Sequence, residues 1–373
     1  MKFIKNKKTL KIILIVIVCG FALLGIVFSG VFVAMRLHLT DVKGSIDSRN
    51  AFFNNASKKE AILPIFKKTT TATNFNKLDP RVECKVMTIT SILPENGERI
   101  LDAYITTKSQ IVAEKMINAI LLVTENNNSF LKDKVASCDS IGQNIFSLGD
   151  NPSAQSIFSW MSSPEWMTLR DALVKDKDVI LQASKDSGVP SRIIVSTVIS
   201  EQFRFFTANR ESFKKYFEPL KVLGNGTKFS YGVAGVKFET AKIIESNLKD
   251  SQSPFYLGAN YENIFNYGDA NPDTELMNRL ADDKNHYYSY MYTAVFLKEI
   301  MHQWETAGFL INDRPEVLAT LFNLGFNKSI PKENPEVGGS TITISDRDYT
   351  FGGLSYEFYY SGELSEYFPF EVQ

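Results

Sequence analysis

The sequence predicts a mainly α-helical protein: an N-terminal transmembrane helix, a membrane-proximal α+β or irregular region, an all-helical domain, and a short β-like C-terminal extension. Three observations carry this expectation. Residues 12–35 form an uninterrupted uncharged run. From about 164 to 324, apolar residues recur at helical spacing between Gly, Pro and Asn punctuation. Beyond Pro331 the pattern shortens to the alternation of strands.

The N-terminus comes first. Residues 1–11 carry Lys2, Lys5, Lys7, Lys8 and Lys11 and no acid. The apolar run that follows exceeds the ~20 residues a helix needs to cross a bilayer, and its mixed flank holds Arg36, Asp41 and Lys43. The positive-inside rule then keeps residues 1–11 in the cytoplasm and exports the rest. A cleaved signal peptide usually has an apolar core of only ~7–15 residues, so an anchor at 12–35 is the better fit. Cys19 lies mid-run behind bulky Val18, which does not suit lipid attachment.

Residues 36–155 alternate polar stretches with short apolar runs and are expected to form a membrane-proximal exported region. Within it, Glu98–Val123 shows one helical period through Ile100, Leu101, Ile105, Ile111, Met116 and Ile117. Cys84 and Cys138 fall on the exported side, where a disulfide is chemically permitted. A pair of unbridged buried thiols is the alternative.

Residues 156–330 read as the helical domain, with segments near 164–187, 190–206, 236–248, 273–304 and 314–324. Residues 331–373 read as an extension packed on it, with strands at Thr341–Ser345 and Leu354–Tyr360 joined through Gly352-Gly353. About 40 residues seldom stabilise themselves.

The whole chain has 373 residues, 41 basic against 42 acidic, and a net charge of −1. That balance gives no field to gather phosphate, so no nucleic-acid partner is expected. With five Lys assigned to the cytoplasm, the exported part is more acidic than the total. Three His and three Cys disfavour multi-site metal chemistry. His286 and His302 show no HExxH spacing, and no P-loop, dinucleotide fingerprint or nucleophile elbow occurs. No metal and no cofactor are expected.

The helix expected at 191–206 is the most informative segment. Ile194, Val195, Val198, Ile199, Phe203, Phe205 and Phe206 make one broad apolar arc, with Ser196, Thr197, Ser200 and Arg204 opposite. Glu201 falls at the edge of the arc and Gln202 within it. A carboxylate bordered by Ile, Val and Phe is partly desolvated, which disfavours its charge and suits a general acid. The alternative is a boundary Glu reaching water, with Gln202 satisfying buried backbone.

Three motifs in order extend this. Val189-Pro190-Ser191-Arg192-Ile193-Ile194 leads to Glu201. Ser230-Tyr231-Gly232-Val233-Ala234-Gly235-Val236-Lys237-Phe238-Glu239-Thr240-Ala241 follows, and then Leu318-Ala319-Thr320-Leu321-Phe322-Asn323-Leu324-Gly325. Over roughly residues 165–330 the chain resembles the catalytic domain of the lytic transglycosylases, in the lysozyme-like superfamily. Gln202 stands where that family usually has Ser, Gly235 where it has Gln, and Phe322 where it has Tyr.

The resemblance implies a lysozyme-like fold and peptidoglycan glycan strands as substrate. It implies that Glu201 protonates the glycosidic oxygen of the β-1,4 bond between N-acetylmuramic acid and N-acetylglucosamine. The carboxylate then takes the C6-hydroxyl proton as a 1,6-anhydro ring closes. One carboxylate suffices for this chemistry, unlike the usual glycosidase pair; Glu239 and Glu357 are the candidates for any second acid. By the same resemblance, Gln202, Ser230, Tyr231, Gly232, Gly235, Lys237, Tyr292, Phe322 and Asn323 would bind the glycan.

The residues also admit plainer readings. Glycines 232 and 235 allow close backbone approach to a ligand, or simply a tight loop before a helix. Asn323 offers hydrogen bonds to an N-acetyl group, or caps a helix before Gly325. Tyr288, Tyr292 and Val295 share a helix face that stacks on sugars or fills a core. Gly235 and Phe322 support an alternative function, a lysozyme-like module that binds glycan or scaffolds envelope proteins without cutting.

Overall fold

The computed structural model describes residues 7–36, 44–62, 78–124, 129–140, 157–207, 230–231 and 233–371. The chain separates into two units, Met1–Lys43 and Gly44–Gln373. The fold is mainly helical, as the sequence predicts.

The first unit is the helix α1, Lys7–Arg36, about 45 Å long at 1.5 Å per residue. Its described apolar side chains are exposed. Among the described residues no helix is long and apolar enough to cross a membrane; the α1 side chains at 7–10, 12, 24, 27, 28 and 31–36 are outside that description.

The second unit begins with β1 (Ser45–Ile46), α2 (Asn50–Ile62), α3 (Pro80–Ile92), α4 (Pro94–Thr107), α5 (Gln110–Thr124) and α6 (Ser129–Ser137). It continues through α7 (Pro164–Lys175), α8 (Lys177–Ser187), α9 (Ser191–Thr207), the short strands β2 (Ser230–Tyr231) and β3 (Val236–Lys237), and α10 (Phe238–Lys249). Then come α11 (Pro272–Ala281), α12 (Tyr287–Thr306), α13 (Pro315–Leu324), β4 (Gly338–Gly339), β5 (Thr341–Ile344), β6 (Arg347–Thr350) and α14 (Phe351–Ser361). Proline opens α3, α7, α11 and α13 at the first helical position, where no backbone N–H is needed. Asp79, Ser163 and Asn271 cap three of these with side-chain oxygens.

Several expected elements are corrected. The described part of 36–155, expected as α+β or irregular, is helical from α3 to α6. The single period over Glu98–Val123 is two helices, because Lys108 turns into the left-handed region at φ 54°. The helix expected over 273–304 is broken by Asp282, whose carboxylate accepts from the amides of Lys284 (2.9 Å) and Asn285 (3.0 Å). Cys84 and Cys138 are disulfide-bonded, tying α3 to the turn after α6.

The C-terminal segment departs most from expectation. Thr341–Ile344 is a strand, and it pairs antiparallel with β6 through a turn in which Ser345 and Asp346 both have positive φ. Leu354–Tyr360 is not a strand but belongs to α14, every residue of which is buried. Its N-terminus packs so closely on α13 that a Cβ at Gly352 would meet the Glu316 carbonyl at 2.5 Å and the Thr320 hydroxyl. Gly352-Gly353 therefore permits helix contact instead of turning a hairpin.

α9 lies against α14, and also against α7, α8, α12, α13 and β5. The supposed polar stripe of α9 faces protein: Ser196, Thr197 and Ser200 are completely buried. Ser196 and Thr197 donate to the Ile193 carbonyl, and Ser200 donates to that of Phe351 at 3.0 Å. Arg192 is also wholly buried. Its guanidinium donates to the carbonyls of Phe358 (3.3 Å), Tyr359 (2.8 Å), Glu363 (3.0 Å) and Phe368 (3.0 Å) and lies 4.3 Å from the Phe370 ring centre. Burial pushes its pKa down to about 10.

The expected boundary near residue 155 does not separate compact units. β1 pairs with β4, and α5 packs on α14. Glu363 receives Arg99 of α4 at 2.6 Å and Arg170 of α7 at 3.2 Å. Arg49 reaches the buried Glu357 of α14 at 2.6 Å while also holding Asp47 at 3.0 Å.

Candidate functional site around Glu201

Pro190 precedes α9, and β-branched residues surrounded by other elements fill its first three turns. Glu201 therefore arrives near the C-terminal end of a fixed, buried helix, itself only 3% exposed. Arg204, one turn on, donates from Nε to Oε2 at 2.9 Å and from Nη2 to Oε1, so the pair is bidentate. The guanidinium lies 5.0 Å from the Phe205 ring centre. The sequence pattern places Arg204 opposite the apolar arc whose edge holds Glu201 and does not pair the two; residues three apart on a helix are neighbours, and this spacing is the available signal.

The other wall is the β2–β3 hairpin, in register Ser230↔Lys237 and Tyr231↔Val236. Gly235 sits in its turn with φ +62°, a conformation that favours glycine. A Cβ there would run into Glu201 Oε1 and lie 2.7 Å from Phe205 Cζ. The turn backbone thus lies directly on the carboxylate, and no side chain fits between them. Gln202 Nε2 donates to the Val233 carbonyl, and the Ala234 amide donates to Ser289 Oγ of α12 at 3.3 Å. Sequence reasoning missed Ser289, which carries no motif signal.

The remaining predicted site residues divide. Ser230 and Tyr231 form the hairpin, and Lys237 is exposed at its end. Gly232 lies outside the described residues, as do 208–229, which connect α9 to β2. Three positions are engaged by contacts inside the protein. Tyr292 presents no face to a sugar: it is fully buried, stacks on Phe265 at 4.0 Å, and donates to Glu245 at 2.5 Å. Burial and Glu245 push the hydroxyls of Tyr292 and Tyr267 well above the usual phenol range. Phe322 is half-buried against Phe296, 5.1 Å between centroids. Asn323 accepts from the Ser340 amide at 2.8 Å and its hydroxyl at 3.0 Å, so it holds the strand segment at 338–340; Gly325 is the helix cap.

Among the described residues, both candidates for a second acid are placed elsewhere. Glu357 is buried against Arg49, and Glu239 is exposed in the first turn of α10. A different acid is strongly perturbed: Glu299 of α12 is fully buried, receives one hydrogen bond from Asn247 at 3.2 Å, and is pushed up to about 9 by burial. His286 Nδ1 and Tyr290 both contact Asp176, at 2.5 and 2.8 Å, so His286 has a structural partner. Among the described residues no cluster of three or more His, Cys, Asp or Glu has the arrangement to hold a metal ion.

Comparison with protein-family profiles, with curated proteins and with solved structures finds no match for the chain.

Proposed function

We propose that the chain is a membrane-anchored enzyme of the lytic transglycosylase kind, cleaving the N-acetylmuramic acid–N-acetylglucosamine β-1,4 bond of peptidoglycan through Glu201. The observation that carries this reading is the apposition of the Glu201 carboxylate and the Gly235 turn. A buried acid beside the backbone of a half-buried glycine suits one-carboxylate chemistry, in which the same group gives and then takes a proton. The motif order from Pro190 to Gly325 adds to it.

The anchor is part of the proposal. Its support is α1 of 30 residues, the charge-free run 12–35 and the five lysines before it. The Cys84–Cys138 bridge fits an oxidising, exported compartment. Glycan strands and envelope proteins are the partners this placement offers.

A second reading is favoured by one specific observation. Phe322 packs on Phe296 and offers no hydroxyl where the resemblance calls for a Tyr, which suits a module that holds glycan or scaffolds the envelope without cutting it. Mass spectrometry of sacculi digested by purified protein separates the readings. Anhydro-muropeptides support the proposal, reducing ends point to a hydrolase, and absence of products supports the second reading. If Glu201→Gln leaves muropeptide release unchanged, the assignment of Glu201 is wrong.

A further inference from the structure

Arg204 belongs to none of the motifs that single out Glu201, yet among the described residues it is the one that donates to both carboxylate oxygens. Glu carries three side-chain torsions, and at a helix surface its head samples many directions. Here a planar guanidinium fork takes both oxygens and so fixes the plane of the carboxylate as well as its position. The fork is 11% exposed and backed by the Phe205 ring. Across from it, the Gly235 turn is held by Gln202 through the Val233 carbonyl and by Ser289 through the Ala234 amide. The carboxylate is therefore gripped on one side and walled on the other by backbone that is itself tied down.

We propose that Arg204 is a positioning residue that aims the Glu201 carboxylate along the Gly235 turn for proton transfer. This rests on the glycan-cleaving reading above. A proton relay works only within hydrogen-bond reach of the reacting oxygen, and displacement by about 1 Å can cost ~10²-fold in rate. A Lys at 204 supplies charge at one point without the fork, so it restores attraction but only part of the orientation.

The test uses the full-length protein in detergent with soluble glycan chains, comparing wild type, Arg204→Gln and Arg204→Lys. Arg204→Gln is expected to lower kcat by about 10²-fold with KM within about twofold of wild type. Arg204→Lys is expected to recover part of kcat. Melting temperatures of Glu201→Gln, Arg204→Gln and the double variant report the pairing independently of activity: the double variant should lose less than the two single losses added together. Unchanged kcat in an active Arg204→Gln, or strictly additive melting losses, overturns the inference. Loss through KM alone also overturns it, because that marks a substrate-binding role. A wild type that releases no product instead refutes the glycan-cleaving reading and this role with it, while the melting cycle still decides whether the two side chains are coupled.

Discussion

Replacing Arg192 by Met tests whether one buried guanidinium locks α14 and the following tail onto α9. Four carbonyls accept from it, and two of them, on Phe358 and Tyr359, are in the last turn of α14, where helical donors run out; Phe358 has a second donor in the Ser361 hydroxyl at 2.8 Å. Met keeps the length and apolar stem but donates nothing, leaving those oxygens in a dry interior. Leaving a buried carbonyl without its donor costs about 1–3 kcal/mol, and the several oxygens involved here are offset in part by the desolvation of the guanidinium that Met avoids. Taking ~4 kcal/mol over the unit Gly44–Gln373, at about 2 cal/mol/K per residue, melting should fall by about 6 °C. Arg192→Lys should fall between the two, because three ammonium donors replace the fork and the flat contact with Phe370 is lost. Scanning calorimetry supplies the melting temperatures, and amide exchange should show lost protection from Phe358 to Phe368. A Met variant melting within about one degree of wild type would refute the lock.

Two further predictions concern stability. Glu299 is held protonated by burial up to about pH 9, against an ordinary value of 4.5. Between those values the folded state keeps a proton that the unfolded state has released, so stability falls as pH rises, by at most about 1.4 kcal/mol per unit. Glu299→Gln should flatten that slope between pH 6 and 8 in thermal melts, and parallel slopes would show that this acid does not control it. The Cys84–Cys138 bridge spans 54 residues, which corresponds to about 4 kcal/mol in the loop-entropy account. Cys84→Ser should unfold at markedly lower urea than the oxidised protein, and coincident midpoints would count against a stabilising bridge.

Sequence periodicity located α9 well, because Pro190 opens it and its apolar spacing is regular. It misjudged what covers α9: Ser196, Thr197 and Ser200 look like a solvent face, and only the distant α14 explains their burial. Leu354–Tyr360 has the aromatic content and alternation of a strand, but a segment enclosed on every side loses the one-sided pattern that separates strand from helix. The strand at Thr341–Ser345 was readable from its alternation, but its partner was not: Arg347–Thr350 is short and polar, and the turn at Ser345-Asp346 takes positive φ without a glycine to mark it. In the candidate site, Glu201 and Gly235 were legible individually. Their contact was not, since it depends on a positive φ and on anchors at Gln202 and Ser289. Tyr292 and Asn323 carried motif signals whose side chains were drawn instead into Glu245 and Ser340.

The position of α14 also sets when the protein becomes itself. Arg49 and Glu357 meet across 308 residues of sequence, and Ser200 meets the Phe351 carbonyl across 151. Contacts this distant make folding slow, because long loops must close before the contacts that reward closure can form. At ~5–20 residues per second, synthesis exposes the bare flank of α9 for roughly ten seconds or more before α14 emerges. During that interval the apolar and hydroxyl side chains that α14 will cover stay open to water. The helix that carries Glu201 is enclosed only once α14 and the residues up to about 370 that Arg192 grips have left the ribosome, so the ordering of the N-terminal half waits on the last part of the chain to be made.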